Sequence, residues 1–483
     1  MQIQPLQPRR YSMGELGGFL KYRRKEPDHR PVAERVKDFN EIELTLDQQQ
    51  LVQQAARCMN CGIPFCHGAG CPVGNLIPDF NDLVHQGRWQ QACDLLHSTN
   101  NFPEITGRIC PAPCEAACTL EVNDEPVLIR HIELQIVERG FREGWIRPQP
   151  AKRRSGRRVV VIGSGPGGLA AAQQLARAGH SVLVIEQDAR PGGMLRYGIP
   201  DFKLPKWVID RRLDQLRQEG VEFQTSVKAG EDVSIRYLRQ RFDAMCLAVG
   251  ARQPRDLDVP GRGLEGIVFA LDFLSCQNRL NAGEPFEGHQ PVNAKDKTVV
   301  VIGGGDTGSD CIGTAIRQGA KKVYQLEILP EPPQTRPVDT PWPTWPRVIR
   351  TSTSHQEGAQ RFWSVDTKAF EGRDGRVAEV HCCKVEWVRS GPSWQPKDVP
   401  GTGFSLKADL VILAMGFVHV MHKGLVEGLG LALDRRGNVL VDSYQSSVPW
   451  VFAAGDAVSG ASLVVKAIAS GRGAAEAIDN WLR

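Results

Sequence analysis

Val159-Val160-Val161-Ile162-Gly163-Ser164-Gly165-Pro166-Gly167-Gly168 decides the fold. Four β-branched residues in a row read as a buried strand, and the glycines that end it read as a turn. An Ala-rich helical stretch follows, then a second apolar run from Val182 to Ile185, which completes a β–α–β unit. Gly163, Gly165 and Gly168 keep the G-x-G-x-x-G spacing. The first permits the tight turn, the second leaves no side chain in the way of a pyrophosphate, and the third lets helix and strand approach. The helix N-terminus offers unpaired N–H groups and a positive dipole end to phosphates. Glu186, 18 residues past Gly168, stands at the end of the second strand, where it can accept hydrogen bonds from a ribose.

About 140 residues further on the same succession returns: Thr298-Val299-Val300-Val301-Ile302, then Gly303-Gly304-Gly305-Asp306-Thr307-Gly308, a helix, and Lys322 to Leu326. Gly303, Gly305 and Gly308 keep the spacing, Asp306 and Thr307 lie at the helix start, and Thr307 can cap it or donate to phosphate. Glu327 closes the second strand; an acid there suits a free 2′-OH and repels a 2′-phosphate, which favours NADH. Lys321, Lys322 and Arg336 are near in sequence and could serve a phosphate instead, so NADPH stays open. Two dinucleotide loops in one chain imply FAD, held permanently, and an exchangeable NAD(P)H. Two more apolar runs end in glycine, Ala244 to Gly250 and Leu410 to Gly416. The chain closes on Trp450 to Asp456 and a small-residue helix from Ala461 to Leu482.

Upstream of residue 150 the character is different. Periodicity predicts helices over Asp47–Arg57, within 72–100 and over 130–140, with no strand before residue 157. Residues 1 to about 45 are charged and proline-bearing and read as an extended arm. Of thirteen cysteines, eight fall between Cys58 and Cys118. Seven are grouped as Cys58, Cys61, Cys66, Cys71, Cys110, Cys114 and Cys118; Cys93 sits mid-helix and reads as a core residue. Such a group can hold zinc or iron–sulfur clusters. Structural zinc favours two CxxC pairs, and only one CxxC occurs. A flavin takes electrons in pairs and releases them singly to one-electron carriers, which favours iron–sulfur. Two 4Fe–4S clusters need about eight ligands, one more than the grouped cysteines supply.

The chain has 483 residues, 41% hydrophobic and 24% charged, with a formal net charge of +4. That is a globular composition long enough for about three domains. The charge is too mild to argue for nucleic acid or an anionic membrane. No apolar run reaches the roughly 18 residues of a spanning helix, and Met1 to Arg10 lacks an apolar leader core, so a cytoplasmic location is expected.

Five motifs carry a resemblance: Arg57 to Cys66, Gly107-Arg108-Ile109-Cys110-Pro111, Gly192-Gly193-Met194-Leu195-Arg196-Tyr197-Gly198-Ile199-Pro200, Pro341 to Arg347, and Ala453-Ala454-Gly455-Asp456. By these the chain resembles, nearly end to end, the small (beta) subunits of glutamate synthase, within the FAD and iron–sulfur NAD(P)H oxidoreductases that include the amino-terminal half of dihydropyrimidine dehydrogenase. The resemblance implies an α/β fold: two Rossmann-like, glutathione-reductase-like dinucleotide domains preceded by a helical iron–sulfur domain. The expected boundaries are 1–150 for the 4Fe–4S domain, 151–296 and 417–483 for a divided FAD domain, and 297–416 for the NAD(P)H domain. It implies one cluster on Cys58, Cys61, Cys66 and Cys118, and another on Cys71, Cys110, Cys114 and Glu133, the carboxylate being the eighth ligand. It also assigns Gly193, Leu195 and Gly455 to the flavin, and Asp456 to its ribityl chain. The implied partner is the large (alpha) subunit, with its own iron–sulfur cluster and FMN, where glutamine-derived ammonia and 2-oxoglutarate become glutamate. The same machinery could serve a ferredoxin or a pyrimidine reductase, or belong to an assembly protein with an idle flavin. No side chain stands out as a nucleophile or an acid–base catalyst, and the charged arm and the cysteine region are the expected docking surfaces.

Overall fold

The computed structural model describes residues 15–285, 291–391 and 393–483. They form two compact units. The smaller comprises residues 15–28, 44–147 and 338–346; the larger comprises 29–43, 148–337 and 347–483, less the undescribed positions.

The smaller unit is helical. Asp47 caps the helix Gln48–Ala56: its Oδ1 accepts from the Gln50 N–H at 2.8 Å, and the Gln50 side chain returns the bond. That helix ends at the first cysteine. Ile77–His85, Trp89–Thr99, Pro103–Ile109 and Ile129–Arg142 follow. Their apolar faces meet in a core of Ile77, Phe80, Val84, Leu96, Ile132 and Ile136, into which Cys93 is packed. Segment 338–346 joins this unit from the far end of the sequence.

The larger unit contains sixteen strands among the described residues: β1 Arg158–Ile162, β2 Ser181–Ile185, β3 Val221–Gln224, β4 Ala244–Leu247, β5 Ile267–Phe269, β6 Thr298–Ile302, β7 Lys322–Glu327, β8 Gln360–Trp363, β9 Val365–Arg373, β10 Arg376–Ser390, β11 Ser393–Asp398, β12 Phe404–Lys407, β13 Leu410–Leu413, β14 Val441–Asp442, β15 Gln445–Ser446 and β16 Val451–Ala453. One sheet runs β14-β15-β16-β4-β1-β2-β3, so residues after 440 complete the sheet that β1 begins. A second, wholly parallel sheet runs β5-β13-β6-β7-β8. The antiparallel strands β9 to β12 form a third layer. The sequence boundary at 296/297 falls between β5 and β6, both of which lie in the second sheet. In each of the first two sheets the chain steps one way along parallel strands from β1 or β6 and later returns on the other side at β4 or β13. That leaves a crevice at the carboxyl ends of the central strands, where α/β sheets bind ligands.

The final helix Val464–Leu482 packs on Pro166–Arg177 through small residues. A Cβ on Gly471 would stand 2.1 Å from the Gly167 carbonyl oxygen, so the helices cross almost backbone to backbone.

The amino-terminal arm is anchored within 29–43 by two buried residues, Arg35 and Ile42, while residues 1–14 lie outside those described. Ile42 N–H donates to the Phe202 carbonyl at 3.1 Å. Arg35, 2% exposed, pairs with Glu357 at 2.7 Å, and Arg317 pairs with the same carboxylate at 2.5 Å. One of the arm's charges, Arg35, is thus used in a buried Arg–Glu–Arg triad with Glu357 and Arg317. Glu357→Gln leaves two guanidiniums short of charge compensation. We expect it to cost about 3–5 kcal/mol, read as a lower urea midpoint for the larger unit; an unchanged midpoint would show the pairs to be dispensable.

Candidate flavin, coenzyme and cluster sites

The two glycine turns are built alike. Gly163 has φ +97° and Gly303 has φ +124°, conformations that suit glycine. A Cβ on Gly163 would lie 2.5 Å from the Ala248 carbonyl oxygen beyond β4, and one on Gly303 would lie 2.2 Å from that of Ala414 beyond β13. Each turn thus sits against the neighbouring strand at the crevice. Around Gly165 and Gly305 a Cβ would meet nothing within 4 Å, so both loops leave the room a diphosphate requires. Gly168 and Gly308 press on the carbonyls of Gly163 and Gly303. Asp306 is exposed and Thr307 half-buried in the first turn of the second helix.

The acids after the second strands also correspond. Glu186 Oε2 accepts from the Ser164 N–H at 3.0 Å, and Oε1 from that of Asp188 at 2.9 Å. Glu327 Oε2 accepts from the Gly304 N–H at 2.7 Å, and Oε1 from that of Leu329 at 2.9 Å. Both carboxylates therefore brace the glycine turn that precedes the helix. Sequence reasoning missed Ser164. Its hydroxyl donates to Glu186 and accepts from the Gly192 N–H at 2.8 Å, which draws the Gly192–Gly193 turn onto the loop. Leu195 is buried in the short helix that follows. Gly455 N–H donates to Ser470 Oγ at 2.8 Å, and Asp456 Oδ1 accepts from Ser462 at 2.7 Å. Burial raises the Asp456 carboxyl above the usual range.

Lys321 and Lys322 do not stand beside Glu327. Lys322 begins β7 and Lys321 precedes it, whereas Glu327 ends the strand, about 16 Å from Lys322 at 3.3 Å per residue. Lys322 Nζ lies over the Tyr324 ring, 4.6 Å from its centroid.

The seven grouped cysteines are free thiols brought together in two sets. Cys58, Cys61, Cys66 and Cys118 line one cavity, along with Phe65 and Asn81. Burial pushes the Cys58 thiol up to about 11, with the Cys118 and Cys61 charges adding to it. Cys66 is raised by burial and then by Cys118, Cys58 and Cys61. Members of the second set act on one another, with Glu115 and Arg130 also contributing at Cys114 and Cys110. Cys71 is raised to about 11 by burial and by Glu133, and Cys110 to about 12 by burial, Glu133 and Cys71. Cys114 is raised by burial and by charges that include Cys71, Cys110 and Glu133. Glu133 is 6% exposed and pushed to about 7, chiefly by burial. It accepts from Asn75 at 3.0 Å, from Asn100 at 3.2 Å and from the Thr106 hydroxyl. Crowded thiols and a buried carboxyl that oppose one another's ionisation are the donor set that a cationic iron core relieves, and these residues fit that group.

One contact crosses 224 positions of sequence: Trp342 Nε1–H donates to the Cys118 carbonyl at 3.1 Å. Its ring lies 4.7 Å from that of Phe65, within the cysteine loop.

Residues 157–471 match the pyridine nucleotide-disulphide oxidoreductase family, and residues 35–145 match dihydropyrimidine dehydrogenase domain II, 4Fe-4S cluster. The chain is 53% identical over 475 residues to the glutamate synthase [NADPH] small chain of Mycobacterium tuberculosis, covering 97% of this chain and 96% of that one. The chain belongs to the glutamate synthase small-chain family. As a member of that family it is an NAD(P)H-dependent oxidoreductase with FAD and 4Fe–4S chemistry. Glutamate synthase [NADH] of Schizosaccharomyces pombe is 44% identical over 480 residues, which are 97% of this small chain but 23% of that longer protein. The Mycobacterium tuberculosis FprA structure in complex with NADPH shares the fold, with a TM-score of 0.55 at 20% identity over 68% of this chain and 84% of that one. Among the described residues no helix is long and apolar enough to cross a membrane.

Proposed function

We propose that the Gly303 turn binds NAD(P)H, that the Gly163 turn binds FAD, and that the two sets of four side chains hold two 4Fe–4S clusters. The partner is a glutamate synthase large chain in the cytoplasm, which makes glutamate from glutamine and 2-oxoglutarate. When bound, the flavin supplies the conversion between a hydride pair and single electrons. The chain's own residues position: Gly163 and Gly303 bring the phosphates onto helix N-termini, and Glu186 and Glu327 fix the turns and receive the riboses. Asp456 stands at the start of the helix Asp456–Ser459 as the partner of the ribityl chain. The observation that carries the reading is the cavity lined by Cys58, Cys61, Cys66 and Cys118 and by none of Cys71, Cys110 and Cys114, in a chain with two glycine turns of the dinucleotide-binding kind.

Anaerobic mixing with NADH and NADPH side by side tests it. The flavin band should bleach, iron and sulfide should accompany each chain, and addition of the large chain should yield glutamate. Zinc in place of iron, or a loaded protein that does not bleach, defeats the reading. Glutamate formation failing while a ferredoxin is reduced would reassign the partner.

For the coenzyme, Glu327 supports NADH, since its charge opposes a 2′-phosphate. Glu327→Ser should move the NADPH-to-NADH ratio of kcat/KM upward by about tenfold or more, about 1.4 kcal/mol. Loss of the brace on Gly304 and Leu329 weakens both coenzymes together and leaves the ratio to report the charge. An unchanged ratio would confine Glu327 to bracing the turn.

A further inference from the structure

We propose that Asn81 donates its amide N–H to a sulfur of the cluster held by Cys58, Cys61, Cys66 and Cys118, and so raises that cluster's reduction potential. The inference rests on the cluster reading above.

Asn81 lies in the middle of the helix Ile77–His85, flanked on the buried side by Phe80 and Val84, and is 0% exposed. Asparagine is a poor helix former, and burying its amide costs free energy unless both ends are bonded. Here neither Nδ2 nor Oδ1 has a hydrogen-bond partner. The side chain lines the four-cysteine cavity together with Cys58, Cys61, Cys66 and Cys118. A fully buried donor that lines the cavity of four thiols and makes no hydrogen bond within the chain is placed to bond a group that brings additional sulfur acceptors. The other set differs in this respect. Its amides, Asn75 and Asn100, already donate to Glu133, and Asn75 Oδ1 accepts from Thr99 at 2.7 Å. Hydrogen bonds to cluster sulfurs stabilise the more negative, reduced state and move the potential upward.

The test is a dithionite titration of the purified holoprotein followed by EPR, with iron and sulfide measured per chain. Asn81→Leu keeps the branched shape and removes the donor; one cluster signal should shift to lower potential while the other stays. Asn81→Ser keeps an O–H donor and should lie closer to the parent than Asn81→Leu does. If Asn81→Leu does not load its cluster, pulsed EPR of the parent protein labelled at asparagine amide nitrogen decides. A nitrogen coupling to the reduced cluster is expected, and its absence overturns the inference. An unmoved potential in a fully loaded Asn81→Leu protein also overturns it, whereas a parent protein without iron and sulfide brings down the cluster reading itself.

Discussion

Cys66→Ser should still bleach its flavin with NAD(P)H, yet deliver nothing to the large chain. Serine oxygen is a poor substitute for thiolate at iron, so the set of Cys58, Cys61, Cys66 and Cys118 should fail to hold its cluster, and iron per chain should fall to about half. The loss reaches into folding as well as redox chemistry. Cys118 belongs to the buried core of the smaller unit, and Cys58, Cys66 and Cys71 pack against it. Removing the metal therefore loosens the loop around Cys58–Cys66, because binding free energy there is also folding free energy. The larger unit has hydrophobic clusters of its own, one beneath β1 and β4 and another around β6 and β13. Those cores keep the nucleotide turns in place. Iron analysis, anaerobic flavin reduction and glutamate formation are the three measurements. Full iron with undiminished delivery would remove Cys66 from the ligand set.

Gly303→Ala should do the reverse, keeping flavin and iron and losing the response to NAD(P)H. The added Cβ would sit 2.2 Å from the Ala414 carbonyl oxygen, at a backbone φ of +124° that alanine resists. Relieving that overlap moves the turn by roughly 1 Å, and a displacement of that size in a positioned reactant costs about a hundredfold in rate. Dithionite should still reduce the flavin, because the Gly163 turn is untouched. Stopped-flow reduction with both coenzymes reads the effect. A rate within about threefold of the parent would mean that the coenzyme is not held by this turn.

The two variants separate electron uptake from electron delivery, and they rest on parts of the sequence that were unequally legible. The nucleotide turns could be read directly because their chemistry is local: a β-branched run, three glycines at fixed spacing and an acid at the next strand end are all set by neighbours in sequence. The sorting of cysteines was not local. Spacing alone groups Cys58, Cys61, Cys66 and Cys71 together, whereas the fold places Cys71 with Cys110 and Cys114 and brings Cys118 back to the first loop. The family resemblance supplied that division. β5 and β11 gave no periodic signal, since Ile267–Phe269 is too short and β11 is exposed throughout. Lys321 and Lys322 looked close to the ribose because sequence distance ignores the length of an extended strand. Arg35 looked solvated because its partner, Glu357, lies 322 positions away. Asn81 gave no signal, because a polar residue on an apolar helix is informative only once its surroundings are known.

Trp342 has a consequence for how this protein is made. The helical unit is not finished when residue 147 leaves the ribosome, because the segment 338–346 belongs to it. At about 5–20 residues per second, roughly 10–40 s pass between the synthesis of residue 147 and that of Trp342. Throughout that interval the Cys118 carbonyl and the Phe65 ring lack their indole neighbour. Iron delivered early meets cysteines whose neighbours, the Cys118 carbonyl and the Phe65 ring, are not yet joined by the indole, and iron delivered late meets that contact in place. A fragment ending at residue 147 would carry every proposed cluster ligand without that contact.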